Sequence, residues 1–171
     1  MPADKISLEH AKENKLFYVV ANVVVYRPED GRCLILKRSG REKVHPGKYC
    51  VPGGKLEWGD LDLDHPTRMN GEVLDFEGTL EKLLVRETKE ESGVDIDDAD
   101  FRYINSNTFV RPDGIPVTLV KFGARYRGGG VVLEENDFDD FAWVNGEEID
   151  NYDCIGGIQD EVRKTIDLFK S

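Results

Sequence analysis

The sequence predicts an α/β sandwich with two main helices, and three observations predict it. Segments rich in β-branched and aromatic residues recur along the chain, beginning with LFYVVANVVVYR at residues 16–27, a composition that suits strands. Leu80, Leu83 and Leu84 stand at helical spacing in a segment that runs to Ser92. The chain closes on IGGIQDEVRKTIDLF, residues 155–169, an amphipathic pattern of the same period. Strands mixed with helices favour a layered α/β sandwich.

The elements follow in order. Residues 1–15 are polar and read as a lead-in, helical after Ser7 if at all. After the strand at 16–27, PEDGR turns the chain and CLILKR (33–38) reads as its antiparallel partner. A basic loop leads to KYCVPGG (48–54), a short strand running into a glycine turn. Residues 61–78 are acidic, carry His65, Pro66 and Asn70–Gly71, and read as a loop. Thr79 is the expected N-cap of a helix from Leu80 to Ser92, and Gly93 suits its C-terminal turn. FRYINSNTFVRP and IPVTLVKFGARYR flank Asp113–Gly114 as a hairpin, and FDDFAWV (138–144) reads as another strand. No internal repeat or linker divides the chain, so one domain over residues 1–171 is expected.

Composition narrows the function. The chain is 39% hydrophobic and 33% charged, ordinary for a globular protein. Its longest apolar stretch, Leu16–Tyr26, contains Asn22 and is too short to span a bilayer. It lacks the basic leader of a secretory signal. Cys33, Cys50 and Cys154 are scattered and odd in number, so a reducing cytoplasm is the expected setting. A net charge of −11 argues against a nucleic-acid polymer as partner. One local exception exists. Lys37, Arg38, Arg41, Lys43, Lys48 and Lys55 accompany a single acid, Glu42. Two readings of that run stand, a solvated loop or the mouth of a site for a small anion.

The helix at 80–92 poses a sharper question. Glu87, Glu90 and Glu91 fall at i, i+3 and i, i+4, so their carboxylates share a face. Each exposed like-charge pair costs roughly a few tenths of a kcal/mol, which Arg86, at i, i+4 from Glu90, offsets in part. A solvated, salt-bridged face is one reading. A hard cation is the other, because Mg²⁺ prefers carboxylate oxygen and retains several waters. His10, His45 and His65 supply no zinc motif.

Context favours the cation. The run R86-E87-T88-K89-E90-E91-S92-G93-V94 resembles the second half of the Nudix box, with Thr88 at a hydrophobic position. Upstream, P52-G53-G54-K55-L56-E57-W58-G59-D60 resembles its opening, with Gly54 as the first glycine and Asp60 where the family has glutamate. The resemblance to the MutT-like Nudix hydrolases runs over about residues 17–144. It implies an α/β/α sandwich with a mixed central sheet. The family places seven residues between the opening's acid and the arginine; Asp60 and Arg86 enclose 25, so 18 are extra. An insertion at about 61–78 accounts for them, and surface insertions cost little closure entropy. A register through Gly71 and Glu77 fits less well. Asp60, Asp62 and Asp64 have the opening spacing of a calcium loop, but His65 and Gly71 occupy the positions that need glycine and glutamate. His65 and Arg68 in this segment read as solvent-facing or as substrate contacts.

The resemblance implies hydrolysis of a pyrophosphate bond in a nucleoside diphosphate linked to another moiety. Nucleotide sugars, ADP-ribose, dinucleoside polyphosphates and nucleoside triphosphates all fall in that class. It implies Mg²⁺, with Mn²⁺ as a substitute, held by Glu87, Glu90, Glu91 and a carbonyl at Gly54. Arg86 would orient a glutamate, and Glu57 is a further acid near the metal. The general base is a box glutamate or an acid of the E134-E135-N136-D137 run, with Glu135 and Asp137 as candidates. Lys37, Arg38, Lys48 and Lys55 are candidate phosphate contacts. Tyr18, Tyr49, Trp58 and Phe109 are candidate base-stacking residues or core. A homodimer is compatible with the family. Two other readings share the fold, a noncatalytic nucleotide-binding module and an isoprenyl diphosphate isomerase; no cysteine motif supports the second. P-loop, G-x-S-x-G and Rossmann motifs are absent from the sequence.

Overall fold

In chain order the strands are β1 (Tyr18–Arg27), β2 (Arg32–Arg38), β3 (Tyr49–Cys50), β4 (Gly53–Lys55), β5 (Arg68–Asn70), β6 (Val73–Asp75), β7 (Arg102–Val110), β8 (Pro116–Arg125) and β9 (Phe138–Val144); the helices are α1 (Thr79–Ser92) and α2 (Ile158–Lys170). These come from a computed structural model, which describes residues 1–170. β1 is the strand on which the sheet is assembled. One edge pairs in parallel with β8 from Tyr18 opposite Val117 to Tyr26 opposite Arg125. The other edge is shared, with β4 antiparallel at Val20–Asn22 and β2 antiparallel at Tyr26–Arg27. The seven-stranded sheet has the order β3-β2-β1-β8-β7, with β4 on β1 and β9 on β2.

Strand alternation gives this sheet two apolar faces. Ala21, Val23 and Val25 point to one side and meet Leu34, Leu36 and Leu84 of α1. Val24 and Tyr26 point to the other and meet Cys33, Ile35, and Val162 and Phe169 of α2. The expected α/β/α sandwich is therefore present. Among the described residues no helix is long and apolar enough to cross a membrane.

Four local expectations need correction. The stretch at 48–54 is two strands. Val51–Pro52 carries the chain from the edge of β2 to the edge of β1, where the Pro52 carbonyl accepts from Val23 N–H at 2.9 Å. The segment 61–78 is not all loop, because β5 and β6 form a separate hairpin. Gly71 makes its turn with φ 63°, a conformation favoured at the first position of a two-residue hairpin loop. Thr79 is not the N-cap of α1. Gly78, at φ 71°, takes that place, and the Thr79 hydroxyl donates instead to the Phe76 carbonyl at 3.3 Å. Within residues 1–15 the only helical piece is one 3₁₀ turn, Glu13–Lys15, rather than an α-helix after Ser7.

The far end of α1 matches expectation. Gly93 is left-handed at φ 75°, and its N–H donates to the Lys89 carbonyl at 2.9 Å. A Cβ there would lie 2.9 Å from the Gly130 carbonyl oxygen. Gly93→Ala combines that clash with a left-handed alanine, a conformation that alone costs about 1–2 kcal/mol. Urea unfolding should show at least that loss. Thr88 faces the core from α1, fully buried, and its hydroxyl has no partner among the described residues. Thr88→Val keeps the shape and removes an unpaired polar atom. It should raise stability by about 1 kcal/mol in the same assay, and a loss would mean that the hydroxyl is satisfied in solution.

Candidate active site

The site is built where β4 meets α1. Gly53 and Gly54 pair with Asn22 and Ala21 on the edge of β1. A Cβ on Gly54 would lie 2.8 Å from Glu87 Cγ and 2.9 Å from its Cδ, so the glutamate occupies the space a side chain would need. A Cβ on Gly53 would meet the Ala21 carbonyl at 2.6 Å. Lacking side chains, the two glycines let the turn lie against the helix. The Gly53 amide then donates to Glu91 Oε2 at 3.2 Å.

Arg86 organises the outer part. Its Nη1 donates to Asp60 Oδ1 at 2.7 Å and its Nη2 to Glu87 Oε1 at 3.2 Å, while Nε stands 3.8 Å from Glu90 Oε1. Asp60 also accepts from the Glu57 amide at 2.8 Å. Burial pushes the Asp60 carboxyl up, but the Glu57 amide and Arg86 outweigh it and hold it below its usual value. Gly71, by contrast, lies at the hairpin tip with open space around it.

The inner part is a cluster of like charges. Burial, together with the charges of Glu87 and Glu134, raises the Glu91 carboxyl to about 8, against the Gly53 bond and Arg38. Glu134 enters from the loop before β9, with its amide donating to the Glu91 carbonyl at 3.0 Å. Its carboxyl is also raised, by burial first, then by Asp137, Glu90 and Glu87. Glu87, Glu90, Glu91 and Glu134 thus share one electrostatic neighbourhood. Among the described residues no three His, Cys, Asp or Glu side chains stand ready-made as a ligand set. The donors nonetheless fit a hard divalent ion in kind: all are carboxylate oxygens, and their mutual repulsion is what a cation relieves.

The candidate cations separate. Arg38 lies on the α1 face of β2, where its charge acts on Glu91; its Nε donates to the Val44 carbonyl at 2.9 Å and its Nη2 to Glu42 at 3.1 Å. Lys37 alternates to the other face. Lys55 pairs with Val20 and so points away from the face that Gly54 presents to Glu87. Lys48 is held by Asp153 at 2.8 Å. Tyr49 donates to Asp140 at 2.9 Å and packs edge-on against Tyr152, which gives it a structural role. Trp58 is partly exposed in the 3₁₀ turn before the hairpin. His65 faces Asp62 at 3.0 Å, and Arg68 pairs with Asp75 and Glu77 within the hairpin. Glu135 and Asp137 are exposed, and only Asp137 acts on the cluster, through Glu134. Glu134 was missed in the sequence; its sole signal there is membership of the acidic run before Trp143.

A family profile described as the NUDIX domain matches residues 16–164. The chain belongs to the Nudix family. Solved structures of Nudix proteins share its fold. A MutT protein from Methanosarcina mazei superposes with a TM-score of 0.61 at 20% identity, covering 94% of this chain and 99% of that one. The Nudix domain of NrtR from Shewanella oneidensis, in a complex with ADP-ribose, gives 0.66 at 13% identity, covering 94% and 95%. Both likenesses speak to fold alone. By sequence, the chain is 29% identical over 136 residues to a protein named NAD-capped RNA hydrolase NudC from Stutzerimonas stutzeri, covering 80% of this chain and 39% of the relative. A protein of the same name from Vibrio atlanticus is 26% identical over 135 residues, covering 78% and 41%. The chain spans about two fifths of the length of these curated relatives.

The raised Glu91 carboxyl sets a pH signature for the Nudix chain in chelator. An unfolded Glu91 loses its proton near 4.5 and the folded one near 8. Between those values the native state holds a proton that the unfolded state has lost, so stability falls as pH rises. Glu91→Gln should remove that part of the slope when unfolding is followed from pH 4.5 to 8.5 in EDTA. Equal slopes in the two proteins would mean that Glu91 titrates normally.

Proposed function

We propose that this Nudix protein hydrolyses a pyrophosphate bond in a nucleoside diphosphate linked to another moiety, with Mg²⁺ as cofactor. The observation that carries the reading is the cluster of Glu87, Glu90, Glu91 and Glu134 packed against the Gly53–Gly54 turn. Glu87, Glu90 and Glu91, with the Gly54 carbonyl, would hold the ion. Bound there, a divalent ion supplies charge neutralisation of the diphosphate and acidifies an attacking water.

The chain's own residues do the rest. Arg86 fixes Glu87 and Glu90 while its far nitrogen anchors on Asp60, which makes it a positioning residue. The Gly53 amide orients one oxygen of Glu91. Arg38 supplies positive charge on the same face. We assign the general base to Glu134 in preference to Glu135 or Asp137. Its amide is bonded to the Glu91 carbonyl, which sets it beside the acid cluster, whereas Glu135 and Asp137 are exposed. The segment 61–78 is read as an insertion in a single Nudix domain. A small nucleotide suits a chain of charge −11 better than a polymer does. The name of the curated relatives, a hydrolase of NAD-capped RNA, is compatible with the same class of bond.

³¹P NMR of a panel of nucleoside diphosphate derivatives with Mg²⁺ tests this. Wild type should split one or more members into two phosphate products. Glu91→Gln should lose more than about a hundredfold in rate, beyond what removal of an outer-shell partner costs. Retained nucleotide binding without turnover of any member would instead make the chain a noncatalytic binding module.

A further inference from the structure

We infer that the cavity between the inserted 61–78 segment and α1 is a binding site for a hydroxyl-rich ring, the chemistry of a sugar, with Lys82, Glu77, Thr67 and His65 as its polar contacts. The ring arrives either joined to the diphosphate or as a free sugar. In the first case the inference rests on the proposed nucleotide substrate and names the group at its far end.

The cavity measures about 230 Å³. Pockets for drug-sized ligands begin at roughly 300 Å³, so a single ring suits this one and a whole nucleotide does not. One wall is a stripe of α1, where Thr79, Lys82 and Arg86 stand at i, i+3 and i+7 along one side of the helix. The facing wall is the inserted segment, with His65 ahead of the hairpin and Thr67, Phe76 and Glu77 at its base. The Glu77 amide donates to the Thr67 hydroxyl at 2.9 Å and so ties the two ends of the hairpin together. Arg86 lines the cavity and also donates to Glu87, so a ligand there lies one side chain from the acid cluster.

The groups already engaged define those that are open. Asp60 is met by Arg86 at 2.7 Å and by the Glu57 amide, and Asp62 by His65 Nδ1 at 3.0 Å. One oxygen of Glu77 is met by Arg68 at 3.4 Å, which leaves the other. The Thr67 hydroxyl accepts from Glu77 and keeps its own hydrogen to donate. The outer nitrogen of His65, Nε2, is open as well. Among the described residues the Lys82 ammonium has neither an ion pair nor a hydrogen bond.

This set selects the ligand. Two donors, one acceptor and an imidazole nitrogen that serves as either remain to be matched. An anion would meet Lys82 but also the carboxylates of Asp60, Asp62 and Glu77. An ammonium group would meet Glu77 but also Lys82 and Arg86. A metal ion finds no ready set of three ligands among the described residues. A hydroxyl donates and accepts at once, so a neutral ring carrying several of them answers every open group and adds no charge. Phe76 supplies the apolar wall against which the ring's carbon frame rests.

NMR titration of the ¹⁵N-labelled full chain in EDTA tests the site without turnover. The probes are ADP and UDP, ADP-ribose and UDP-glucose, and free ribose and glucose. A sugar-bearing probe should move the backbone amides of Thr67, Glu77 and Lys82, which ADP and UDP leave in place. Lys82→Met should weaken that response about tenfold, in line with the loss of a hydrogen bond from a charged group. Lys82→Arg keeps the charge and the donors and should retain the response. Shifts with the free sugars identify a free ligand; shifts with the joined sugars alone identify a substrate group. No shift at these amides with any sugar-bearing probe, shifts that ADP and UDP reproduce, or an undiminished response in Lys82→Met overturns the inference. If no panel substrate is cleaved yet the sugar response keeps its dependence on Lys82, hydrolysis fails and the sugar site stands. If substrates are cleaved while no sugar moves these amides, the sugar site fails alone.

Discussion

The structure depends on a contact in which nothing larger than hydrogen fits. Gly54 gives up its side chain and Glu87 fills the place. That contact sets the distance between the sheet edge and α1. It also brings the Gly53 amide to Glu91, so one backbone donor reaches into a cluster of acids. The sheet supports it from below. β4 is only three residues long and is held in position by β1, which is itself locked along its full length to β8. Leu83 and Leu84, about a turn before the glutamates, anchor the helix in the core, fully or nearly buried. Burying each is worth roughly 1.5–3 kcal/mol, enough to hold acidic side chains together against their repulsion.

Much of this was legible because periodicity and glycine carry local information. Leu80, Leu83 and Leu84 marked the core-facing stripe of α1, and the same period brought Glu87, Glu90 and Glu91 together further along the helix. Gly93 was readable as a left-handed terminus. The long strands β1, β2, β7 and β8 announced themselves through β-branched and aromatic content. What failed to read was shorter than a period or depended on distant partners. Three-residue strands such as β5 and β6 give no alternation to detect. Thr79 looked like a cap, yet Gly78 could turn left-handed and took the place. Glu134 joins the cluster through a backbone bond to Glu91 across 43 positions of sequence, and no local pattern encodes that.

The cations illustrate the same limit. Lys37 and Arg38 are adjacent in sequence and equivalent in charge. A strand sends them to opposite faces, and only Arg38 reaches the acids. Gly54 and Lys55 separate in the same way, one toward Glu87 and one toward the opposite sheet face. Charge composition identified a basic neighbourhood; register decides which members act together.

The bond between Arg86 and Asp60 has a further consequence. It joins the residue before the 61–78 segment to the helix after it, so both ends of that segment are fixed by the site itself. The hairpin between them hangs from a closed staple. Its length and sequence are therefore free to drift while the acids stay in place, since doubling a loop costs only about 0.6 kcal/mol. For protein engineering this is a natural port: a foreign peptide grafted at the Gly71 tip would ride beside α1 without bearing on it.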